Sequence, residues 1–191
     1  MAQPHPNALG PAERAGIERF LRERGADRIA HPGGTLLAHL LRVADLLAAW
    51  GADIDVQRAG LCHALYGTDG FDQPLLDLAE RPAAIALLGD RAESLIYLYC
   101  GCDRSAVYPR LGATPVVFTD RFTGRDHEPA AATLRAFLEI TAANELDVMA
   151  HNAELAARHG PALYGLFDRT RVHLSARAWR ACRIQLGPAD A

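Results

Sequence analysis

A chain of 191 residues is long enough for one substantial core and short for two, and an apolar share of 50% is ordinary for a globular protein. The formal charge of −3, with both signs interspersed, gives no broad positive field, which argues against nucleic acid or an anionic membrane surface as partner. No apolar run is long enough to span a bilayer, and the opening MAQPHPNALGPAER lacks the basic and apolar segments of a secretory signal, so a cytoplasmic protein is expected.

In chain order, residues 1–10 are rich in Pro and small polar types and predict a flexible arm, followed by a single helical domain over 11–186 and a tail over 187–191. Pro11 opens a first helix that Gly25 stops near Arg24, with Ile17, Phe20 and Leu21 on one side. The loop His31-Pro32-Gly33-Gly34 cannot stay helical, and Thr35 then caps a helix that runs to Trp50 and stops at Gly51. On it His39 is followed by Val43, Leu46 and Trp50 at helical spacing, so the histidine faces inward. Asp53 or Asp55 starts a short helix that carries His63 among apolar neighbours in AGLCHALYG and closes at Gly67. Thr68, Asp69 and Gly70 form a turn close enough to fold back over that histidine.

Pro74–Glu80 and Pro82–Leu88 read as two helical pieces, and Arg91 to about Gly101 as a longer one. Between Val107 and Pro129, PVVFTDRFTGRDHEP suggests a small hairpin or an extended lid. The longest helix is expected from Ala130 to about Arg158, with an apolar stripe of Leu134, Phe137, Leu138, Thr141, Val148 and Leu155. Asn144 and Glu145 interrupt the stripe and should face the core or a cavity in it. A last helix from His173 to Leu186 closes the bundle. The fold class is therefore all-α, roughly seven to nine helices with at most one small β-hairpin. Cys62, Cys100, Cys102 and Cys182 include no C-x-x-C pair and read as buried free thiols. His5, His127, His159 and His173 lie in polar surroundings and read as solvent histidines.

Taken singly, His39 and His63 are most simply core histidines, each satisfied by a carbonyl or a water. As a pair they carry a resemblance. HLLRVADLLAAWG followed by AGLCHALYG resembles the opening signature of the HD-domain superfamily of metal-dependent phosphohydrolases, over Thr35 to Gly67. HALYGTDGF with the later YLYCGCDRS is similar to an uncharacterised family, domain of unknown function 6817. The HD resemblance implies an HD-like helical bundle in which two histidines and two aspartates hold divalent ions that activate water or oxygen. This chain departs from that pattern at both acids. Ala64 follows His63, and in Ala143–Leu146, the best match to the late aspartate segment, Asn144 stands where aspartate is expected.

Without the bridging acid a binuclear centre is not expected. Two imidazoles suit one divalent transition metal, iron, zinc, nickel or copper, better than magnesium. Asp69, Glu145 or His31 are available to complete such a site, with Asp69 ahead of Glu145 and either carboxylate ahead of Asn144, because two neutral histidines lack charge. Asp69 also reads as a plain turn former, Glu145 as a salt-bridge partner, and Arg104 as a cation at a helix end.

The expected roles are His39, His63, Tyr66 and Asp69 in catalysis, and His39, His63, Asp69 and Glu145 as metal ligands. Substrate contacts are assigned to His31, Thr68, Arg104 and Asn144, with Arg104 suited to grip a carboxylate or phosphate. Arg121 is a weaker cavity candidate, and His151 a more remote one. Three functions stay open. The first is a mononuclear metal enzyme hydrolysing or oxidising a small anionic molecule, the second a metal-free enzyme using a histidine as acid or base, and the third a degenerate member that binds a ligand or partner without turnover.

Overall fold

The computed structural model describes residues 8–188, so the expected arm over 1–10 and tail over 187–191 fall mostly outside it, as does His5. Helix α1 (Pro11–Glu23) starts on a proline, whose missing N–H is one that the first helical turn leaves unpaired anyway. Strands β1 (Ala30–His31) and β2 (Gly34–Thr35) make a minimal antiparallel ladder around the Pro32-Gly33 turn. Helix α2 (Leu36–Trp50) is capped by the Thr35 hydroxyl, which accepts from Ala38 N at 3.2 Å, and ends on Gly51 at φ 84°. Asp53 caps α3 (Ile54–Leu61). Then come α4 (Arg81–Leu88), α5 (Asp90–Gly101), the one-turn α6 (Arg104–Val107), and the hairpin β3 (Phe118–Asp120) with β4 (Arg125–His127). Helices α7 (Ala131–His151), α8 (Ala153–Arg169) and α9 (Ala176–Leu186) complete the bundle.

The fold is all-α with small hairpins, as the periodicity predicts, and it differs from that reading at four places. α3 ends at Leu61 and not at Gly67: His63 Nδ1 takes the Gly60 carbonyl, the Cys100 thiol takes that of His63, and the amides of Leu65 and Gly67 turn back three residues, to Cys62 and Ala64. His63 therefore sits in a turn just beyond the helix. The long helix breaks at Asn152, whose backbone leaves helical geometry and whose side chain caps α8 by accepting from Leu155 N at 3.0 Å. Before α4, only Leu78–Glu80 coils, as a 3₁₀ turn held by an Asp77 capping box. The ladder at 30–35 is a second hairpin beyond the one expected between Val107 and Pro129. Among the described residues no helix is long and apolar enough to cross a membrane.

α7 is the axis of the molecule, packed against α2, α3, α5, α8 and α9. It is buried almost all round, which explains why its polar residues Glu139, Thr141, Asn144 and Asp147 are also inside and all need partners. α2 and α3 approach closely at Gly60, where a Cβ would collide with Leu47 Cδ1. Gly60→Ala is expected to cost about 1–3 kcal/mol through overpacking, read as a lower urea midpoint. An unchanged midpoint would show that this contact relaxes freely.

Candidate functional site

α2 delivers His39 and the turn after α3 delivers His63, both fully or almost fully buried. Their Nε2 atoms lie 3.4 Å apart. The outward nitrogens are already committed. His39 Nδ1 is 2.6 Å from Asp147 Oδ2, and His63 Nδ1 is 2.8 Å from the carbonyl of Gly60. Carboxylate and carbonyl oxygens only accept, so each Nδ1 carries the hydrogen and each neutral ring turns an Nε2 lone pair toward the other. A third lone pair joins them. Asn144 Oδ1 is 3.1 Å from His39 Nε2, and the amide is oriented because its Nδ2 donates to Glu145 Oε1 at 3.1 Å. Three acceptors facing one point are mutually repulsive unless a proton or a cation sits among them. Burial, followed by the charge of His39, holds the His63 imidazole down to about 3.

Asp147 is the anchor behind His39. Arg42, one helical turn beyond His39, donates to both its oxygens at 2.6 and 2.9 Å, and also reaches the carbonyls of Pro32 and Gly33 at 3.1 and 3.3 Å. Burial alone would raise the Asp147 carboxyl, but the hydrogen bonds from His39 and Arg42 outweigh it and bring the group down to about 2. The same arginine ties the β1–β2 turn over the site, where the His31 ring stacks on His39 with centroids 4.1 Å apart. Burial, then His39, lowers His31 to about 4, and its Nδ1 is buried without a partner.

In front of the histidines lies a cavity of about 1130 Å³ walled by the β1–β2 turn, the Thr68–Phe71 turn, α6, α7 and α8. His31, His63, Thr68, Asp69, Arg104, Asn144 and Glu145 all line it, while His39 is sealed behind His31 and His63. Asp69 Oδ2 accepts from the backbone N of Arg104 at 2.8 Å, and Glu145 Oε1 accepts from Arg104 Nη1 at 3.4 Å. Arg104 also donates to the Tyr99 hydroxyl at 3.1 Å and lies against the Tyr99 and Tyr108 rings. The expected oxygens of Asp69 and Glu145 are thus on the cavity wall and engaged by Arg104, and the oxygen that meets the histidine pair is that of Asn144. Among the described residues no three His, Cys, Asp or Glu side chains are grouped as metal ligands, so a cation at the pair would take an amide oxygen as third donor.

Two expected positions do not belong to the cavity. The Tyr66 hydroxyl donates to the buried Glu93 at 3.0 Å, within an ion pair that Arg81 closes. Arg121 donates to the carbonyl of Cys100 at 2.7 Å. His159, expected in solvent, stands on the cavity rim. His151 donates from Nδ1 to the Asp147 carbonyl at 2.8 Å. All four cysteines are free and buried.

The residue that sequence reasoning missed is Asp147. Its signal was position: it falls one turn after Asn144, and a carboxylate there on an all-round buried helix requires a cationic partner, which the Arg42 of H-x-x-R supplies. No curated protein and no solved structure matches the chain. Residues 20–104, which hold His31, His39, Arg42, His63, Asp69 and Arg104 but none of α7, match the model of a family described as a domain of unknown function (DUF6817), the narrower of the two families that the sequence resembles.

Proposed function

We propose that the chain is a small-molecule hydrolase dependent on one divalent transition-metal ion, held by His39, His63 and Asn144 and acting on a small anionic substrate. The observation that carries this reading is the 3.4 Å separation of two Nε2 lone pairs whose rings are each fixed from behind. Ligands on one tetrahedral ion with bonds near 2.0–2.1 Å stand roughly 3.3–3.4 Å apart. A metal-bound histidine typically donates its other nitrogen to a carboxylate or a backbone carbonyl, the roles of Asp147 and Gly60 here. Imidazole with one amide oxygen suits zinc, iron, nickel or copper better than magnesium.

An ion so held supplies Lewis-acid and water-activating chemistry. The ligand set is neutral and lacks the carboxylate of the two-histidine iron oxygenases, which favours hydrolysis over oxidation. The protein's own part is positional. Asp147 fixes the His39 tautomer, the carbonyl of Gly60 fixes that of His63, and Arg104 offers an oxyanion its guanidinium beside His63 on the cavity wall.

Protein purified without a histidine tag or chelator is expected to carry about one equivalent of a transition metal and to lose it in His63→Ala. If the wild-type protein holds none, and added zinc leaves its melting temperature unmoved, the metal reading fails. The 2.6 Å contact between His39 and Asp147 favours a second reading, in which that pair works without metal as an acid or base through His63. Turnover that survives chelation and is lost in His39→Gln would select it.

A further inference from the structure

α8 presents a face to the cavity, and Leu163 and Leu166 on that face are buried. Leu155, His159, Leu163, Leu166 and Arg169, at intervals of four, four, three and three residues, all line the cavity. From the first of these to the last the helix rises about 20 Å. Met149 of α7 and Phe71 of the turn after His63 extend the same apolar wall. The cavity's polar groups come from several elements, and one cation among them, Arg104, stands on α6, with Tyr108 just after it. There the Tyr108 hydroxyl lies buried with no partner, close to an Arg104 guanidinium that faces its ring. The contact of Arg104 with Glu145, at 3.4 Å, is the loosest charged pair in the site, where the contacts of Arg42 with Asp147 are 2.6 and 2.9 Å. An anion can share Arg104 with Glu145, and a phenol without a partner has a hydrogen to donate.

We propose that the ligand of this cavity is an elongated amphiphile with a singly charged oxyanion head, a carboxylate, seated on Arg104 and the Tyr108 hydroxyl, and an apolar body laid along α8. This rests on reading the cavity as the substrate site and narrows the substrate from a small anion to one with an extended hydrocarbon portion. A single head charge fits because Glu145 already offsets part of the Arg104 charge and Arg169, the other cation on the wall, donates to the carbonyls of Leu111 and Tyr108.

The test is calorimetric titration of the full chain, as purified and again after dialysis against a chelator, with butanoate, hexanoate, octanoate and decanoate, and with octan-1-ol as the uncharged match. Affinity is expected to rise about fourfold per added methylene along the series. Arg104→Gln is expected to weaken octanoate about tenfold or more and Tyr108→Phe about fivefold, with octan-1-ol unchanged in both. Leu163→Ser should flatten the dependence on chain length. The proposal is overturned if octanoate does not bind, if affinity is independent of chain length, or if both head-group variants weaken octan-1-ol as much as octanoate. Should Arg104→Gln fail to fold, Tyr108→Phe decides the head group alone. Binding that persists after chelation supports this assignment whatever the metal content proves to be, and metal retained in a protein that ignores the whole series removes this assignment and leaves the metal site standing.

Discussion

Asp147→Ala is expected to destabilise the protein by roughly 3–5 kcal/mol in urea unfolding, because it strips Arg42 and the Nδ1–H of a fully buried His39 of their shared, buried partner. The loss should exceed that of Arg42→Ala, since Arg42 is partly exposed and solvent can take over its hydrogen bonds, whereas His39 has no such recourse. The same pairing sets an acid limit. The Asp147 carboxyl is depressed from 3.8 to about 2 in the folded protein, so its stabilising contribution is complete above the ordinary carboxylate value and is lost as pH falls through the lower one. That interval corresponds to about 2 kcal/mol. A cost below about 1 kcal/mol for Asp147→Ala would mean that the triad is not the structural anchor described here.

Asn144→Asp is the second large expected effect, and its direction is a gain. The substitution places a carboxylate oxygen where an amide oxygen now stands 3.1 Å from His39 Nε2, adding a full negative charge beside two neutral nitrogens at the buried end of the cavity. Zinc affinity, measured by competition with a chromophoric chelator, is expected to rise on the order of 100-fold. The change also removes the amide hydrogen that Glu145 accepts, which places two carboxylates side by side and lowers stability in the metal-free protein. A variant that binds zinc no better than the wild type would mean that the three lone pairs converge on a proton and not on a metal.

Much of the scaffold was legible because its signals are local. Thr35 and Gly51 bound α2 by a side-chain cap and a left-handed glycine, and both act at the residues where the sequence placed them. The inward direction of His39 followed from Val43 and Trp50 on the same stripe, and both are buried. What escaped depends on distant partners. Nothing near His63 in sequence announces that the Cys100 thiol will claim its carbonyl, which a helix running to Gly67 would need for the Gly67 amide. Asn152 was readable as a cap, but the apolar pattern runs through it from Val148 to Leu155 and hides the break. Asp147 was obscured because α7 is buried all round, so no single stripe separates an inward carboxylate from a solvated one. Periodicity, informative on an amphipathic helix, has little to say about a helix with no outside.

The break at Asn152 also gives α8 an axis of its own, packed between α7 and α9 along one wall of the cavity. Its Tyr164 stacks on Trp179 of α9, with ring centroids 5.9 Å apart and planes inclined by 23°. The chain has two tryptophans, Trp50 and Trp179, so in Trp50→Phe the second is left as the sole indole emitter. The molecule thereby contains its own optical gauge: ultraviolet fluorescence from Trp179 reads the packing of α8 on α9 with no attached dye.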